Sequence, residues 1–156
     1  RVLFRSSKKK LPLTPEEYGK YYKICDSLPF AFTDIEMVFN EEKKAVDWIF
    51  RYGNEALATL EKLPLDKMIG NSFSSLFSNM DAKWLHVYER ATLYGETLEI
   101  MDYSPEIDTN LKIICFPTFP GHCGCILFNA DQMKSISEEN HLVRLAAVAM
   151  KSNPTI

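Results

Sequence analysis

The segment "HCGC" places His122, Cys123 and Cys125 within four residues, where they could act as metal ligands or as a nucleophile with its base. Zinc is bound by imidazole and thiolate groups, and a thiolate beside a histidine can attack a carbonyl. On a β-strand, however, Cys123 and Cys125 share one face and His122 lies on the other. Cys115 could add a third ligand from a neighbouring strand, but no fourth is evident. We therefore expect buried, reduced thiols and no metal site.

His86, in the segment "DAKWLHVYERATLYGET", is a second candidate ligand for a metal or a haem. Asp81 is a suitable N-cap and Gly95 a suitable terminator, so the segment is predicted to be a helix. At about 100° per residue, its apolar stripe consists of Trp84, Val87, Tyr88, Ala91 and Tyr94. His86 falls about 200° from Trp84, on the opposite face of the helix. This phase predicts a solvated histidine and argues against haem ligation.

Motifs of common enzyme classes are missing from the chain, which contains no P-loop, no GxSxG and no HExxH. A thiol hydrolase needs a cysteine and a histidine within hydrogen-bond reach and a third group that orients them. No family signature surrounds the four cysteines, Cys25, Cys115, Cys123 and Cys125. We expect no catalytic residue in this chain, and the alternative is a small thiol-dependent enzyme.

Composition describes an ordinary globular chain of 156 residues with a formal net charge of -3. That charge gives no global field that would favour nucleic acid, and none is expected as a partner. The one basic run, Lys8 to Lys10 with Arg1 and Arg5 upstream, is interpreted as a solvated linker. No stretch approaches the ~20 apolar residues of a transmembrane helix, and no signal peptide is visible. We interpret the chain as an excerpt of a longer, cytoplasmic protein, and a membrane anchor outside this excerpt stays an open alternative.

The N-terminal half reads as a helix followed by a β-hairpin. Thr14 can cap a helix over residues 14–27, whose apolar stripe consists of Tyr18, Tyr21, Tyr22 and Cys25. Strands are predicted over residues 30–40 and 45–54, joined by the polar turn "EEKK". On the second strand, period-two alternation places Val46, Trp48, Phe50 and Tyr52 on one face.

The rest of the chain reads as a helical middle, three more strands and a last helix. Asn54 caps a helix whose apolar stripe consists of Ala56, Leu57, Leu60 and Leu63. Strands are predicted over residues 97–107, 111–119 and 122–130. A helix capped by Ser135 or Ser137 follows, with the narrow apolar stripe Leu142, Leu145, Ala146 and Ala149. Hairpins at both ends of a helical crossover predict an α+β fold: a five-stranded antiparallel sheet with helices on one face and flanking terminal helices.

Three segments in this order resemble the PAS domain. They are "WIFRYGNEAL" at the second strand, "KMIGNSFSSLF" in the helical middle and "ATLYGETLEI" before the third strand. The resemblance covers residues 28–133, which leaves residues 1–27 as an N-terminal linker and helix and residues 134–156 as a C-terminal connector helix. This variety resembles PAS domains beside GGDEF, EAL, HD-GYP or histidine kinase domains. It implies a sensory or dimerisation module of a bacterial signalling protein, a homodimer with an output domain in the same chain.

The resemblance also implies where a ligand would lie, because PAS ligands sit between the inner face of the sheet and the helical middle. The candidate lining residues are Phe50, Tyr52, Trp84, Tyr88, Cys115 and Ile126. The alternative is that these residues simply fill the core of a structural interaction module that binds no ligand. Photoactive flavin PAS domains carry a cysteine in an "NCRFLQ"-like stretch, but residues 55–95 contain none, so a cysteinyl-flavin is not expected. The cofactor, if there is one, stays unknown, and non-covalent flavin remains open.

Overall fold

Five antiparallel strands form one sheet in the computed structural model, which describes residues 10–135 and 137–152. The strands are β1 (Ala31–Phe39), β2 (Ala45–Gly53), β3 (Leu98–Ser104), β4 (Thr109–Pro117) and β5 (His122–Asn129). Their order across the sheet is β2-β1-β5-β4-β3, so β1 and β5 lie at or beside the centre and β2 and β3 form the edges. The predicted five-stranded α+β fold is confirmed.

A few predictions fall outside the described part of the chain. The basic run up to Lys9 is one of them, and the capping of the last helix and the placement of Leu142 are others, since the side chains of residues 133–142 are not described. The rest of the stripe predicted for the last helix is wrong at Leu145 and Ala149, which are exposed, because that helix buries Val143 and Ala147 instead. The domain bounds at residues 28 and 133 remain predictions.

Six helices accompany the sheet: α1 (Pro15–Tyr21), α2 (Glu55–Glu61), α3 (Leu65–Met68), α4 (Phe73–Leu76), α5 (Ala82–Tyr94) and α6 (Ser137–Ser152) within the described residues. A 3₁₀ turn (Lys23–Cys25) follows α1, and another (Ala130–Ser135) precedes α6. The predicted caps are confirmed, because Thr14 forms a capping box with Glu17, Asn54 caps α2 and Asp81 caps α5. Gly95 ends α5 at φ 67°, a left-handed conformation that glycine adopts without steric cost.

The four central helices, α2 to α5, cover one face of the sheet, which we call the inner face. Its core contains Leu57 from α2, Met68 from α3, Phe73 from α4 and Trp84 from α5. The sheet contributes alternate residues of its strands: Ala31, Ile35, Met37, Trp48, Phe50, Leu111, Ile113, Cys115, Cys123, Cys125 and Leu127. Period-two alternation thus directs one apolar set of each strand towards these helices.

The terminal helices, α1 and α6, pack on the opposite face, which we call the outer face. Tyr18, Tyr22 and Cys25 from the N-terminal segment and Val143 and Ala147 from α6 form its helical side. The strands contribute Phe32, Tyr52, Ile114, Phe116 and Ile126. The sheet is therefore the middle of three layers, and the same strands contact both sets of helices.

Strand β2 departs from the alternation that the sequence predicts. Asp34 pairs with Tyr52 but the next residue, Ile35, pairs with Phe50, so the register skips a residue of β2. This bulge turns Tyr52 to the outer face, since one extra residue reverses the side on which a side chain falls. A second shift lies near Val46, which is 44% exposed. The prediction that these residues share a face with Trp48 and Phe50 is wrong at both ends of the strand.

Candidate functional site

The helical phase of α5 decides which of its residues reach the core. Trp84, Tyr88 and Ala91 are buried against the sheet and His86 is exposed, so the predicted orientation of the helix is confirmed. Tyr94 is 70% exposed, and its assignment to the apolar stripe is wrong. It is the last residue of α5, where the chain turns through Gly95 towards the edge strand β3.

The six candidate pocket residues do not lie in one place. Phe50, Trp84, Tyr88 and Cys115 belong to the core of the inner face, as the prediction requires. Tyr52 and Ile126 belong to the core of the outer face. The bulge in β2 accounts for Tyr52, and strand alternation accounts for Ile126, because its neighbours Cys125 and Leu127 face inwards. The sequence interpretation that placed Tyr52 and Ile126 on the same face as the other four residues is therefore wrong.

A cavity of about 20 Å³ lies between the inner face and the helices α2, α4 and α5. Its lining consists of Trp48, Glu61, Phe73, Trp84, Tyr88, Ser104, Glu106, Leu111, Ile113 and Leu127. Trp84 and Tyr88 are thus the two candidates that line it, whereas Phe50 and Cys115 pack elsewhere in the same core. Sites for drug-sized ligands have volumes of roughly 300–1,000 Å³. In this conformation the cavity accommodates only a group the size of a water molecule or two.

Aromatic rings make up one wall of the cavity. The Trp48 ring lies 4.3 Å from the Phe73 ring and 5.0 Å from the Tyr88 ring, measured between centroids. The Trp48 and Tyr88 rings meet edge to face at 89°, a geometry in which the edge of one ring faces the electron-rich face of the other. These contacts fix the orientation of the wall.

Glu61, the last residue of α2, brings a carboxyl group into this apolar surrounding. Its side chain is 8% exposed, and within the described part of the chain it has no hydrogen-bond or ion-pair partner. Burial, and secondarily the nearby Glu106 carboxyl, raise the pKa of Glu61 to about 7. A buried carboxyl without a partner destabilises the fold, so this residue needs an explanation other than packing.

Glu106 and Ser104 form the polar side of the cavity. The Ser104 hydroxyl donates a hydrogen bond to the Glu106 carboxylate, whose other oxygen accepts from the Asp81 backbone N–H at 3.3 Å. Glu106 is the one lining residue that is not buried, so the cavity meets solvent on its side. Two carboxyl groups therefore flank the cavity, one at its solvent side and one inside.

The three thiols of β4 and β5 lie together below Tyr88 on the inner face. Cys115 pairs directly with Cys125 across the strands, and Cys123 follows on the same face. Burial raises the pKa of the Cys115 and Cys125 thiols, which keeps them protonated at neutral pH. Among the residues described, no group of three or more histidine, cysteine or acidic side chains is arranged to hold a metal ion.

His122 lies on the outer face, away from these thiols, as alternation predicts. Its Nδ1–H donates to the Pro120 carbonyl at 3.0 Å, which leaves Nε2 to accept from the Tyr18 hydroxyl at 2.8 Å. Burial lowers the pKa of His122, so the neutral form is favoured. The imidazole connects α1 to β5 and forms no pair with a cysteine among the described side chains.

Asp34 is a second buried acid, at the centre of the outer face. The Tyr22 hydroxyl donates to Oδ2, and the Thr118 hydroxyl lies close enough to this pair to interact with the Asp34 carboxyl. Burial raises the pKa of Asp34 to about 8. The Tyr22 contact ties the N-terminal segment to β1, so Asp34 has a structural role that Glu61 lacks.

Sequence reasoning missed Glu61, although a signal for it exists. Leu57 and Glu61 are four residues apart, so they lie one above the other on the same face of α2. Leu57 belongs to the predicted buried stripe, and the acid one turn later falls on the same stripe. Trp48 and Phe73 were also missed as lining residues, since nothing local shows that α4 brings Phe73 onto Trp48.

The sequence matches no protein-family model, and no curated protein matches it. Among solved structures, the chain is similar to the PAS domain of an HTR-like protein from Haloarcula marismortui, at 8% identity with a TM-score of 0.49, over 73% of this chain and 92% of that one. It is also similar to an RNA-binding light-oxygen-voltage receptor, at 15% identity with a TM-score of 0.43. That match covers 90% of this chain and 40% of the receptor, so the chain spans less than half of it.

The sheet itself has the five antiparallel strands, and the helical crossover between β2 and β3, that the sequence predicts. None of the helices described is long and apolar enough to cross a membrane.

Proposed function

We propose that this chain is a sensory PAS module, which binds a small molecule at the inner-face cavity and passes the resulting change to a neighbouring domain. The observation that supports this proposal is the Glu61 carboxyl, which is buried beside aromatic rings and has no partner among the residues that the structure describes. A core with only a structural role would gain stability from an apolar residue at this position. Unpaired buried acids with a raised pKa are concentrated at functional sites.

The route of the signal follows from the three layers. The strands that contact the cavity on the inner face contact α1 and α6 on the outer face. The 3₁₀ turn that follows α1 also contacts α6, since Cys25 Sγ lies 3.5 Å from Met150 Sδ. A change in inner-face packing would therefore reach both helices through the sheet. In this proposal they connect to an output domain of a cytoplasmic bacterial signalling protein, across a homodimer.

Ligand binding is tested by a thermal-shift screen of cationic, neutral and anionic metabolites, together with native mass spectrometry of freshly purified protein. We expect at least one compound to raise the unfolding temperature of the wild-type chain and to lose its effect in Glu61→Gln. Glu55→Gln is the matched control, because it makes the same chemical change at an exposed position of the same helix. A screen without any stabilising compound, and a mass spectrum of the empty chain, would favour a purely structural interaction module.

The relay is tested separately, by amide hydrogen exchange with and without the compound found in the screen. We expect the ligand to change exchange in α1 and α6 as well as in α5, because the sheet connects the two faces. Protection confined to α5 would contradict the relay but not ligand binding. Deletion of both terminal helices should then abolish regulation of the output domain.

The thiol-enzyme alternative loses its geometric basis. Cys115, Cys123 and Cys125 face inwards while His122 faces outwards, so none of these three cysteines has the histidine base that such chemistry requires. The high thiol pKa values described above also oppose nucleophilic activity.

A further inference from the structure

The charges around the cavity define which ligand it would accept. Glu61 lies inside the cavity and Glu106 at its solvent side, and the two carboxyl groups interact unfavourably. No lysine, arginine or histidine forms an ion pair with Glu61 within the described residues. An anion would add to this repulsion. A cation would interact favourably with both carboxylates and supply the partner that Glu61 lacks.

The aromatic wall of the cavity also favours a cation. The faces of tryptophan and tyrosine rings carry partial negative charge and attract ammonium groups, most strongly where water is excluded. Trp84 already shows this behaviour, since the ammonium of Lys83 lies 5.1 Å from its ring centroid. Lys83 itself pairs with Asp81 and Asp102 and does not line the cavity. The ring wall and the carboxyl groups thus favour the same ligand chemistry.

Size restricts the ligand further. A volume of about 20 Å³ matches a single water-sized group and excludes a flavin, a haem or a quaternary ammonium unless the helices move. An ammonium group is of this size, and a short alkyl chain attached to it would extend past Glu106 towards solvent. Hydrogen-bond acceptors for its N–H groups are available on Glu61 and Glu106.

We propose that this cavity binds an ammonium group, either the free ion or the head of a small primary amine, with Glu61 as its ion-pair partner and the rings of Trp48, Trp84 and Tyr88 around it. This inference rests on the proposed function and names the chemical class of its ligand. A neutral ligand of the same size could accept a hydrogen bond from the protonated Glu61, but it would supply no positive charge to pair with the ionised form of this acid.

Binding of a cation here competes with binding of a proton to Glu61, so affinity depends on pH. The titratable groups that face Glu61 are Glu106 from the β3–β4 connection and Tyr88 from α5, with the thiols of β4 and β5 beyond Tyr88. None of these supplies a positive charge. With its pKa at about 7, Glu61 is about one-tenth ionised at pH 6 and nine-tenths ionised at pH 8. Apparent affinity for an amine should therefore be about tenfold higher at pH 8 than at pH 6.

The experiment uses the intrinsic fluorescence of the protein, because the chain has two tryptophans and both line the cavity. Wild type, Glu61→Gln and the control Glu55→Gln are titrated with ammonium, methylammonium and ethylammonium chloride at constant ionic strength. Sodium chloride tests whether positive charge alone is sufficient, and methanol tests whether small size alone is sufficient. Tetramethylammonium chloride supplies a cation that is too large for the cavity. The comparison of free ammonium with the alkylammonium ions identifies which source of the group is preferred.

We expect a saturable change with at least one of the three small ammonium ions, about tenfold weaker at pH 6 than at pH 8. Glu61→Gln should weaken it at least tenfold and remove its pH dependence, while Glu55→Gln should leave both unchanged. Equal responses to methanol and methylammonium, or a response that Glu61→Gln leaves intact, would overturn the proposal. If a neutral or anionic compound from the thermal-shift screen changes the fluorescence and no ammonium ion does, this inference fails and the proposed function stands. If no compound of any class changes it, both fail.

Discussion

Replacing Glu61 with glutamine should remove a loss of stability that the wild-type protein shows as pH rises. In the unfolded chain this carboxyl ionises near its ordinary pKa of 4.5, whereas in the folded protein burial holds the pKa at about 7. Between these values the folded state binds one proton more than the unfolded state, so the free energy of unfolding falls with rising pH. The slope is about 1.4 kcal/mol per pH unit, and the total is about 3 kcal/mol above pH 7.

The measurement is urea unfolding followed by tryptophan fluorescence, from about pH 4 to about pH 9. The free energy of unfolding of Glu61→Gln minus that of wild type should rise by about 3 kcal/mol between pH 4 and pH 8 and stay constant above that. Asp34 also titrates in this range, but it is present in both proteins and its contribution cancels in the difference. Glu55→Gln is measured in parallel as the matched control, because it makes the same chemical change at an exposed position of the same helix.

Parallel curves for wild type and Glu61→Gln would refute the reasoning, since they would mean that Glu61 has the same pKa in both states. The carboxyl would then be solvated or already paired, and the inner-face cavity would lose its unpartnered acid. A constant offset at every pH would instead report a difference in packing between the acid and the amide, which titration does not produce.

Three further predictions address the rest of the molecule. Asp34→Asn should remove a fall in stability that wild type shows between about pH 4 and pH 8, because the pKa of Asp34 is raised to about 8 in the folded protein. Urea unfolding that shows the same pH slope as wild type would contradict this. Gly124→Ala should lower the free energy of unfolding by about 1–3 kcal/mol, because the new methyl would lie 3.0 Å from Thr118 and 3.1 Å from the Phe116 ring. An unchanged urea midpoint would show that these two side chains move aside without a cost in stability. His86→Ala should change stability by less than about 0.5 kcal/mol and leave ammonium binding intact, whereas a large loss in either measurement would place this histidine in the core after all.

Local rules were sufficient for the elements of this fold. The caps at Thr14, Asn54 and Asp81 depend on side chains within three residues of the helix start, and Gly95 supplies the left-handed conformation at a helix end. The strands were identified from alternation and composition, with bounds within a few residues of those observed. Each of these features depends on a short stretch of sequence, so the helix ends and strands can be predicted without knowledge of tertiary contacts.

The candidate site is harder to predict from the sequence, because its geometry depends on pairing and packing between segments that are distant in the chain. The bulge in β2 that turns Tyr52 outwards arises from pairing with β1, and a strand considered alone gives no sign of it. Phe73 reaches Trp48 only because the short helix α4 folds over the sheet. Glu61 is the instructive exception, since its position on the buried stripe of α2 was readable and an acid there was a signal of function.

The two buried acids of this molecule differ in a way that separates structure from function. Asp34 receives the Tyr22 hydroxyl and thereby holds the N-terminal segment on β1, so part of its desolvation cost is offset by a contact inside the fold. The cost of burying Glu61 is offset by no described contact. A ligand that pairs with Glu61 recovers that free energy on binding, in addition to its own contacts, and stabilises the folded state by the same linkage. An acid that destabilises the empty protein and favours the occupied one therefore couples ligand binding to the packing of α2 and α5 on the sheet, which is the coupling that a sensory domain requires.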